Sequence, residues 1–228
     1  ATPNEMTAWR VRTLHQKEPE TIEWIRSFQR GEVLVDIGAN VGMYTIIAAA
    51  WRGARVFAFE PESQNFALLN RNIHDNRLDD QIAAFCLALS DSNGFSRLYL
   101  SAFQLGGSCH SYGESIDHNL AGRASPFAQG CVAVTLDHLV TSGALPTPDH
   151  IKIDVDGIEP KVIAGARRTL ADPQVKSVLI EINTNLDVHW DVVDIMIDHG
   201  FSYLHAQVSQ AQRTTGHFKG VGNHVFRR

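Results

Sequence analysis

The chain has 228 residues, 44% of them hydrophobic and 20% charged, which is enough to bury one large α/β core without disulfides or structural metals. Its formal net charge is −5 and its longest basic group is the terminal Arg227-Arg228, which argues against nucleic acid or an anionic membrane as the main partner. Three cysteines without a C-x-x-C pair predict neither a disulfide framework nor a zinc site.

The first residues lack the basic start and apolar run of a signal peptide, and no segment approaches about 18 unbroken apolar residues. We therefore expect a soluble protein in the reducing cytoplasm. Since no stretch rich in proline, glycine or serine divides the chain, we expect residues 1–228 to form a single domain.

The predicted elements begin with a short polar arm and a helix that opens at Glu18-Pro19-Glu20 and ends before Gly31. We expect this helix, within residues 1–30, to cap a ligand site. Next comes a βαβα unit: strand 33–37, helix 41–51, strand 55–59 and helix 62–74.

The rest of the chain continues the alternation. Further strands are predicted at 81–89, 95–100, 131–136, 150–155, 175–182, 201–205 and 223–227, and helices at 158–170 and 190–199. Residues 101–130 are rich in glycine, serine, histidine and asparagine without periodicity, which is typical of a substrate-side lid. This order predicts an α/β, doubly wound fold with a mostly parallel sheet, an antiparallel C-terminal strand, and a β insertion that carries the long loop.

The turn after the first strand has the pattern G-x-N-x-G, formed by Gly38, Asn40 and Gly42. Thr45 stands where a dinucleotide-binding loop would have its third glycine, so the pattern favours a nucleoside without phosphates. Glu60 ends the next strand, about 20 residues after the loop, where a carboxylate can accept both hydroxyls of a ribose. The sequence therefore predicts a nucleoside pocket.

Four blocks of the chain resemble the FkbM family of S-adenosylmethionine-dependent methyltransferases. They are Asp36-Ile-Gly38-Ala-Asn40-Val-Gly42, Phe59-Glu60-Pro61, Ala88-Leu89-Ser90-Asp91, and residues 151–159 followed by Gly165-Ala166. The resemblance implies a Rossmann-like class I fold, S-adenosylmethionine as cofactor, and O-methylation of a sugar, glycan or polyketide-like small molecule. It departs from the family at Asp156, where glutamate is common.

Ligands of open parallel sheets bind beyond the carboxyl ends of the strands, where these motifs are predicted to lie. Glu60 would bind the ribose, Asp36 and its loop the amino-acid end of the cofactor, and residues 89–91 the adenine. The expected cofactor-binding residues are Asp36, Gly38, Asn40, Gly42, Glu60, Pro61, Leu89, Ser90, Asp91 and Asp154. A further strand end, at Glu181-Ile-Asn183, carries another acid without an assigned role.

The catalytic candidates are Asp154, Asp156 and Glu159. A hydroxyl nucleophile must lose its proton, so we expect Asp154 near the methyl group, and Asp156 or Glu159 closer to the acceptor. The alternative is that these acids only cap the following helix. His110 and His118 are alternative bases.

Two points about the surroundings stay open. The D-x-D pattern of Asp154 and Asp156 could bind a divalent metal, but two acids alone do not define a site and we predict none. Trp24 and Tyr44 could pack on the ligand, although core positions are more typical of aromatic residues at helical spacing.

Three other functions remain in view at this stage. A nucleotide-sugar glycosyltransferase would use the D-x-D for a metal, but the loop lacks the basic residues that a diphosphate needs. A nicotinamide oxidoreductase is disfavoured by the missing glycine, and a non-catalytic domain could bind S-adenosylmethionine for structure alone. The acceptor, N- rather than O-methylation, and the oligomeric state are not determined by the sequence.

Overall fold

The central sheet is built from strands that the sequence places largely correctly. In the computed structural model, which describes residues 1–228 except the side chain of His15, a seven-stranded and a four-stranded sheet are formed. The larger sheet contains β1 Val33–Ile37, β2 Arg55–Phe59, β3 Ile82–Phe85, β8 His150–Ile153, β9 Ser177–Asn183, β10 Ser202–Tyr203 and β11 Val221–Arg227. The smaller sheet contains β4 Ala88–Leu89, β5 Gly94–Leu100, β6 Ser111–Tyr112 and β7 Phe127–Val134.

The helices connect these strands. They are α1 Glu5–Lys17, α2 Pro19–Arg26, α3 Met43–Arg52, α4 Ser63–Asn76, α5 Leu136–Thr141, α6 Glu159–Ala164, α7 Arg167–Ala171, α8 Asp187–Asp198 and α9 His205–Ala211. In the described part of the chain, none of them has the length and apolar character that a membrane span requires.

The strand order of the large sheet is β10-β11-β9-β8-β1-β2-β3. β1 pairs in parallel with both β2 and β8, while β11 runs antiparallel to β9 and β10. The predicted α/β fold with a mostly parallel sheet and an antiparallel C-terminal strand is confirmed. β1 and β8 are the central strands, so their carboxyl ends lie at the middle of one sheet edge.

The core explains why every residue of β1 except Asp36 is apolar. Leu34 and Val56 pack under α2, α3 and α4, whereas Val35 and Ile151 pack on the other face, against α6, α7 and α8. Alternate side chains of one strand point to opposite faces, so a sheet covered on both sides needs continuous hydrophobic strands.

The predicted strand 81–89 is split between the two sheets. β3 pairs with β2, whereas β4 pairs with β7 in the small sheet. The expected lid 101–130 is also more ordered than predicted, because β6 pairs with β5 and the first residues of β7 extend the same sheet. We name residues 94–134, which carry β5, β6, β7 and the loops between them, the insertion.

The predicted polar arm is wrong, since residues 5–17 form α1. Asn4 caps this helix by accepting the backbone N–H of Thr7 at 2.9 Å, and the backbone N–H of Asn4 donates to the Thr7 hydroxyl at 3.3 Å. The usual signature of such a capping box has glutamate or glutamine in the position of Thr7. Because this position holds threonine instead, and because the apolar residues of 5–17 show only weak periodicity, the helix was not predicted from the sequence.

Two other helical predictions need correction. The predicted helix 158–170 is broken into α6 and α7 beside Gly165, where an added Cβ would lie 2.1 Å from the carbonyl oxygen of Ser90. The short helices α5 and α9 were not predicted, because so few residues show no clear periodicity.

Of the helix that was expected to cap the ligand site, only Glu18, which precedes α2, lines a cavity at the carboxyl edge of the sheet. The indole N–H of Trp24 donates to Ser177 at 2.7 Å, and its ring packs edge-on against His150. Ser177 and His150 are the first residues of β9 and β8, so Trp24 lies in the core at the amino ends of the strands. Glu18, just before α2, is instead at the carboxyl edge, where Tyr44 donates to it at 2.7 Å.

Candidate active site

Two cavities meet above the carboxyl ends of the central strands. The inner cavity, of about 60 Å³, is lined by residues that include Glu60, Leu89 and His110. The outer cavity, of about 380 Å³, is lined by residues that include Trp9, Glu181 and Phe218. Both are lined by Gly38, Asn40, Ser108, Asp154 and Asp156. These five shared residues form what we name the junction.

Gly38 is glycine because two backbones touch at the junction. Its φ is +78°, and an added Cβ would lie 1.9 Å from the carbonyl oxygen of Asp154. Gly42 has φ +83° and packs against α4, where a Cβ would lie 2.3 Å from Cδ1 of Leu69. Both predicted glycines shape the loop, Gly38 at the cavities and Gly42 beneath α3.

Asn40 explains the unusual G-x-N-x-G pattern. It adopts φ +52°, a conformation that asparagine tolerates better than most residues. Its backbone N–H donates to Glu60 at 2.8 Å, and its side-chain amide donates to the carbonyl of Gly107 at 2.7 Å. Asn40 therefore joins the glycine loop to the insertion above it.

Glu60 is fixed at the end of β2 as the sequence predicts. Its carboxylate accepts the backbone N–H of Asn40 at 2.8 Å and that of Glu62 at 2.9 Å. Burial, followed by the nearby charges of Glu62 and Asp156, raises the pKa of Glu60 to about 7. Glu60 and Pro61 both line the inner cavity, so the carboxylate is oriented for a ligand there.

Asp36 lies beneath the cavities rather than against them. It is 1% exposed, accepts the hydroxyl of Thr45 at 2.6 Å, and lies 3.7 Å from the ammonium of Lys152. Thr45, the residue in place of the third glycine, is thus the partner of Asp36. The expected contact of Asp36 with the cofactor stays a prediction that these partners do not support.

Lys152, which was not predicted as a site residue, lies beneath the junction beside Asp154. This buried side chain donates to Asp154 at 3.0 Å and lies 5.6 Å from the ring centre of Tyr44. Burial opposes its charge, but the carboxylates of Asp154 and Asp36 outweigh burial and raise the pKa of Lys152. A lysine within an apolar strand, two residues before Asp154, was the available signal.

Three acids converge at and beside the junction. One carboxylate oxygen from each of Asp154, Asp156 and Glu181 lies within 4.8 Å of the others. Glu181 is the acid at the end of β9 that had no assigned role. Arg213 bonds to Glu181 at 3.0 Å and lies 3.6 Å from Glu18, so a cation closes the outer side of the group.

The three acids differ in how easily they ionise. Burial acts against charge in Asp154, but the ammonium of Lys152 overcomes it and holds the pKa of Asp154 below its usual value. Burial and then the charge of Asp154 raise the pKa of Asp156, and the same two causes raise that of Glu181 further. One carboxylate is thus kept charged beside two that hold protons more tightly.

Asp156 also ties the insertion to the site. It has φ +58°, and its carboxylate accepts the backbone N–H of Cys109 at 2.7 Å. Asn40 also holds this segment, by donating to the carbonyl of Gly107, so residues 107–109 form a roof over the junction.

Glu159 does not have the predicted place near the acceptor. It is 1% exposed, and its carboxylate accepts the backbone N–H groups of Val155 at 2.9 Å and Gly157 at 3.0 Å. Burial raises its pKa to about 8. Glu159 therefore stabilises the turn that carries Asp154 and Asp156.

The predicted adenine-binding residues are separated by the structure. Leu89 lines the inner cavity, but Ser90 is bonded through its backbone N–H to Val134 at 3.1 Å, and Asp91 is exposed. The inner cavity is completed instead by His110 and Tyr112 of the insertion.

Of the two histidines considered as bases, only His110 lies at a cavity. His118 is buried under the C-terminal segment, with Nε2 at 3.2 Å from the carbonyl of His217 and its ring 4.6 Å from that of Phe218. His118 therefore supports the wall of the outer cavity.

The remaining wall of the outer cavity comes from both ends of the chain. α1 contributes Trp9, Arg10 and Lys17, and the segment after α9 contributes Arg213 and Phe218. These residues were not predicted, because the sequence of α1 resembles a polar arm and that of the C-terminal segment resembles a plain connection. Their shared signal is only aromatic and basic character, which is common at any surface.

Solved structures with a similar fold include methyltransferases. Precorrin-6y C5,15-methyltransferase from Geobacter metallireducens GS-15 aligns with TM-score 0.51 and 17% identity, covering 92% of this chain and 86% of that one. Magnesium protoporphyrin IX methyltransferase (ChlM) from Synechocystis PCC 6803, solved with bound SAM, aligns with TM-score 0.55 and 12% identity, covering 100% and 86%. The fold is that of Rossmann-like methyltransferases, and the inner cavity lies at the edge where such sheets bind ligands.

Two sequence relatives narrow the class. Hexuronic acid methyltransferase AglP from Haloferax volcanii is 28% identical over 179 residues, covering 78% of this chain and 67% of that protein. 31-O-demethyl-FK506 methyltransferase FkbM from Streptomyces tacrolimicus is 27% identical over 199 residues, covering 78% and 75%.

The methyltransferase FkbM domain matches residues 36–203, and the chain belongs to this family. It is an S-adenosylmethionine-dependent methyltransferase, as the resemblance of its four blocks predicted. Family membership decides against the glycosyltransferase and the oxidoreductase that the sequence had left in view.

Proposed function

We propose that residues 1–228 act as one domain that methylates a hydroxyl of a small-molecule or glycan acceptor, with a sugar favoured. The single observation that carries this proposal is the junction, where a cavity lined by Glu60, Pro61 and Leu89 opens into a larger one beside three acids. The net charge of −5 supports an acceptor other than nucleic acid and, with the cysteine usage, a cytoplasmic location.

The residues of the inner cavity fit the cofactor. Glu60 supplies an oriented carboxylate for the ribose, and Pro61 and Leu89 supply apolar surface for the base. Asp154 reaches the junction as a charged carboxylate, which suits a sulfonium. When bound, S-adenosylmethionine supplies a methyl group on a positively charged sulfur: the acceptor oxygen takes the methyl group, and the sulfur leaves as a neutral thioether.

In this proposal, Asp156 or Glu181 takes the proton of the acceptor hydroxyl. Asp156 belongs to the junction and Glu181 faces the outer cavity. Their raised pKa values make them stronger bases when ionised than an ordinary carboxylate. Asp154 stays ionised beside Lys152 and contributes fixed negative charge.

The outer cavity has features that suit a sugar. The rings of Trp9 and Phe218 offer apolar faces, while Arg10 and Lys17 offer donors around them. A sugar ring presents apolar C–H faces and hydroxyl edges, so it can use both kinds of surface. The two relatives, a hexuronic acid methyltransferase and a 31-O-demethyl-FK506 methyltransferase, also support an oxygen acceptor.

Methyl transfer from isotopically labelled S-adenosylmethionine to a panel of acceptors tests the proposal. The panel should contain neutral sugars, uronic acids, hydroxylated polyketides and matched primary amines, with product read by mass spectrometry. We expect label in a sugar or another hydroxyl compound, and the location of the new methyl group on oxygen. Label only in the amines, or in RNA added as a control, would contradict O-methylation of a small molecule.

A further inference from the structure

His110 brings its imidazole ring from the insertion into the inner cavity. It directly precedes β6, and the neighbouring Cys109 is held by the carboxylate of Asp156. The ring therefore belongs to a part of the insertion whose backbone is fixed to the floor of the site.

The hydrogen bonds of His110 determine where its proton lies. The backbone N–H of Ser101 donates to Nδ1 at 3.2 Å, so in the neutral ring the proton is on Nε2. Burial lowers the pKa of His110 to about 4; of the charges nearby, Glu62 opposes this and Arg123 and Arg10 reinforce it. At neutral pH, Nε2 is thus a donor on an uncharged ring.

That donor is left without an acceptor. Among the described residues, Nε2 of His110 is buried and has no hydrogen-bond partner. Leu89 and Leu98, which line the same cavity as His110, carry no side-chain acceptor. A buried N–H that lacks a partner is costly, and a ligand atom that accepts its hydrogen would remove that cost.

The nucleoside offers a matching acceptor. Glu60 can only accept when ionised, so it suits the ribose hydroxyls, which donate. Adenine ring nitrogens N1, N3 and N7 accept, so they need a donor. Ser90 and Asp91, the residues expected to contact adenine, lie outside the inner cavity, whereas His110 lies within it.

We propose that His110 recognises the adenine of S-adenosylmethionine by donating a hydrogen bond from Nε2 to one of its ring nitrogens. The insertion thus supplies a determinant of base specificity as well as a roof. This assignment concerns the cofactor alone and is independent of which acceptor the enzyme methylates.

Calorimetry with S-adenosylhomocysteine and its 1-deaza, 3-deaza and 7-deaza analogues tests the assignment without any acceptor. For the wild-type protein, we expect one analogue to bind about tenfold more weakly than the parent compound, since a single buried hydrogen bond is lost. His110→Phe should weaken the parent compound by a similar factor. In that variant, the analogue that bound weakly to the wild-type protein should bind as well as the parent compound. This result would show that the His110 side chain and the ring nitrogen missing from that analogue are energetically coupled.

His74→Phe is the matched control, because the His74 side chain is 85% exposed on α4; it should leave all affinities unchanged. Equal weakening of all four ligands in His110→Phe would show a merely structural role and overturn the proposal. If that variant does not fold, the wild-type series decides, since equal binding of the three deaza analogues would also overturn it. If the wild-type protein discriminates among the deaza analogues as expected but methylates no hydroxyl acceptor, that result counts against the proposed function and leaves the assignment of His110 intact.

Discussion

The inner and outer cavities are built from the chain in different ways. The floor and ribose side of the inner cavity come from residues that directly follow β1, β2 and β8, such as Gly38, Glu60 and Asp154. The outer cavity combines α1, the ends of β8 and β9, and the segment after α9, which are far apart in sequence. The fold therefore places the cofactor site by a local rule, whereas the acceptor site depends on how distant segments pack.

The acids where the two cavities meet give the largest expected effect. Asp154→Asn, Asp156→Asn and Glu181→Gln should keep S-adenosylhomocysteine affinity within a few fold. At least one should lower turnover by about a hundredfold or more, because a general base or its fixed charge is lost. Steady-state rates combined with calorimetry measure both quantities. Asparagine tolerates φ +58°, so Asp156→Asn preserves the backbone.

Unchanged turnover in all three variants would contradict the base assignment. Metal removal is the companion test: EDTA should have little effect on the rate. Complete inactivation, with rescue by magnesium or manganese, would instead make the three acids metal ligands.

The next effect in size concerns the stability of the loop. Gly38→Ala should lower the free energy of unfolding by several kcal/mol, since the new Cβ clashes with the carbonyl of Asp154 and φ is +78°. Gly31→Ala is the matched control: its φ is +84°, but a Cβ there meets no atom within 4 Å. It should cost only about 1 kcal/mol. Equal losses in urea denaturation would mean that the contact with Asp154 is unimportant.

Glu60 links cofactor binding to pH. With a pKa of about 7 in the free protein, Glu60 is mostly protonated at pH 6 and mostly ionised at pH 8. Ribose hydroxyls bind the ionised form, so affinity for S-adenosylhomocysteine should rise about tenfold from pH 6 to pH 8. Glu60→Gln should bind more weakly and lose this rise. A rise that persists in the variant would assign it to another group.

The difference between the cavities also explains what the sequence could predict. The glycines, Glu60 and the Asp154–Asp156 pair follow buried strands, and a parallel sheet brings such strand ends together. Lys152 and Glu181 were visible at the same strand ends but had no motif. His110, Trp9 and Phe218 lie on segments without periodicity, so their positions depend on tertiary contacts that no local pattern specifies.

Glu159 shows the limit in the opposite direction. It belongs to a motif and was predicted as catalytic, yet it accepts two backbone N–H groups inside the turn. A motif indicates that an acid is needed at a position. It does not distinguish an acid that contacts the ligand from an acid that only positions its neighbours.

The smallest expected effect is on the roof of the junction. One part of the segment 101–130 is held in place: residues 106–109 are hydrogen-bonded through their backbone to the side chains of Asn40, Asn65 and Asp156. Further along the same segment, Gly113 and Gly122 are exposed. Limited proteolysis of the free protein should therefore cut at 113–126, and cofactor with acceptor should protect it a few fold.

Asn65→Ala removes two of the bonds outside the cavities and should extend cleavage into 104–110, which the ligands then protect most strongly. The narrow inner cavity, of about 60 Å³, gives the reason, because a roof that stayed closed would obstruct a nucleoside. Cleavage that is equal with and without ligands, in both proteins, would make this segment a surface insertion that does not close over the site.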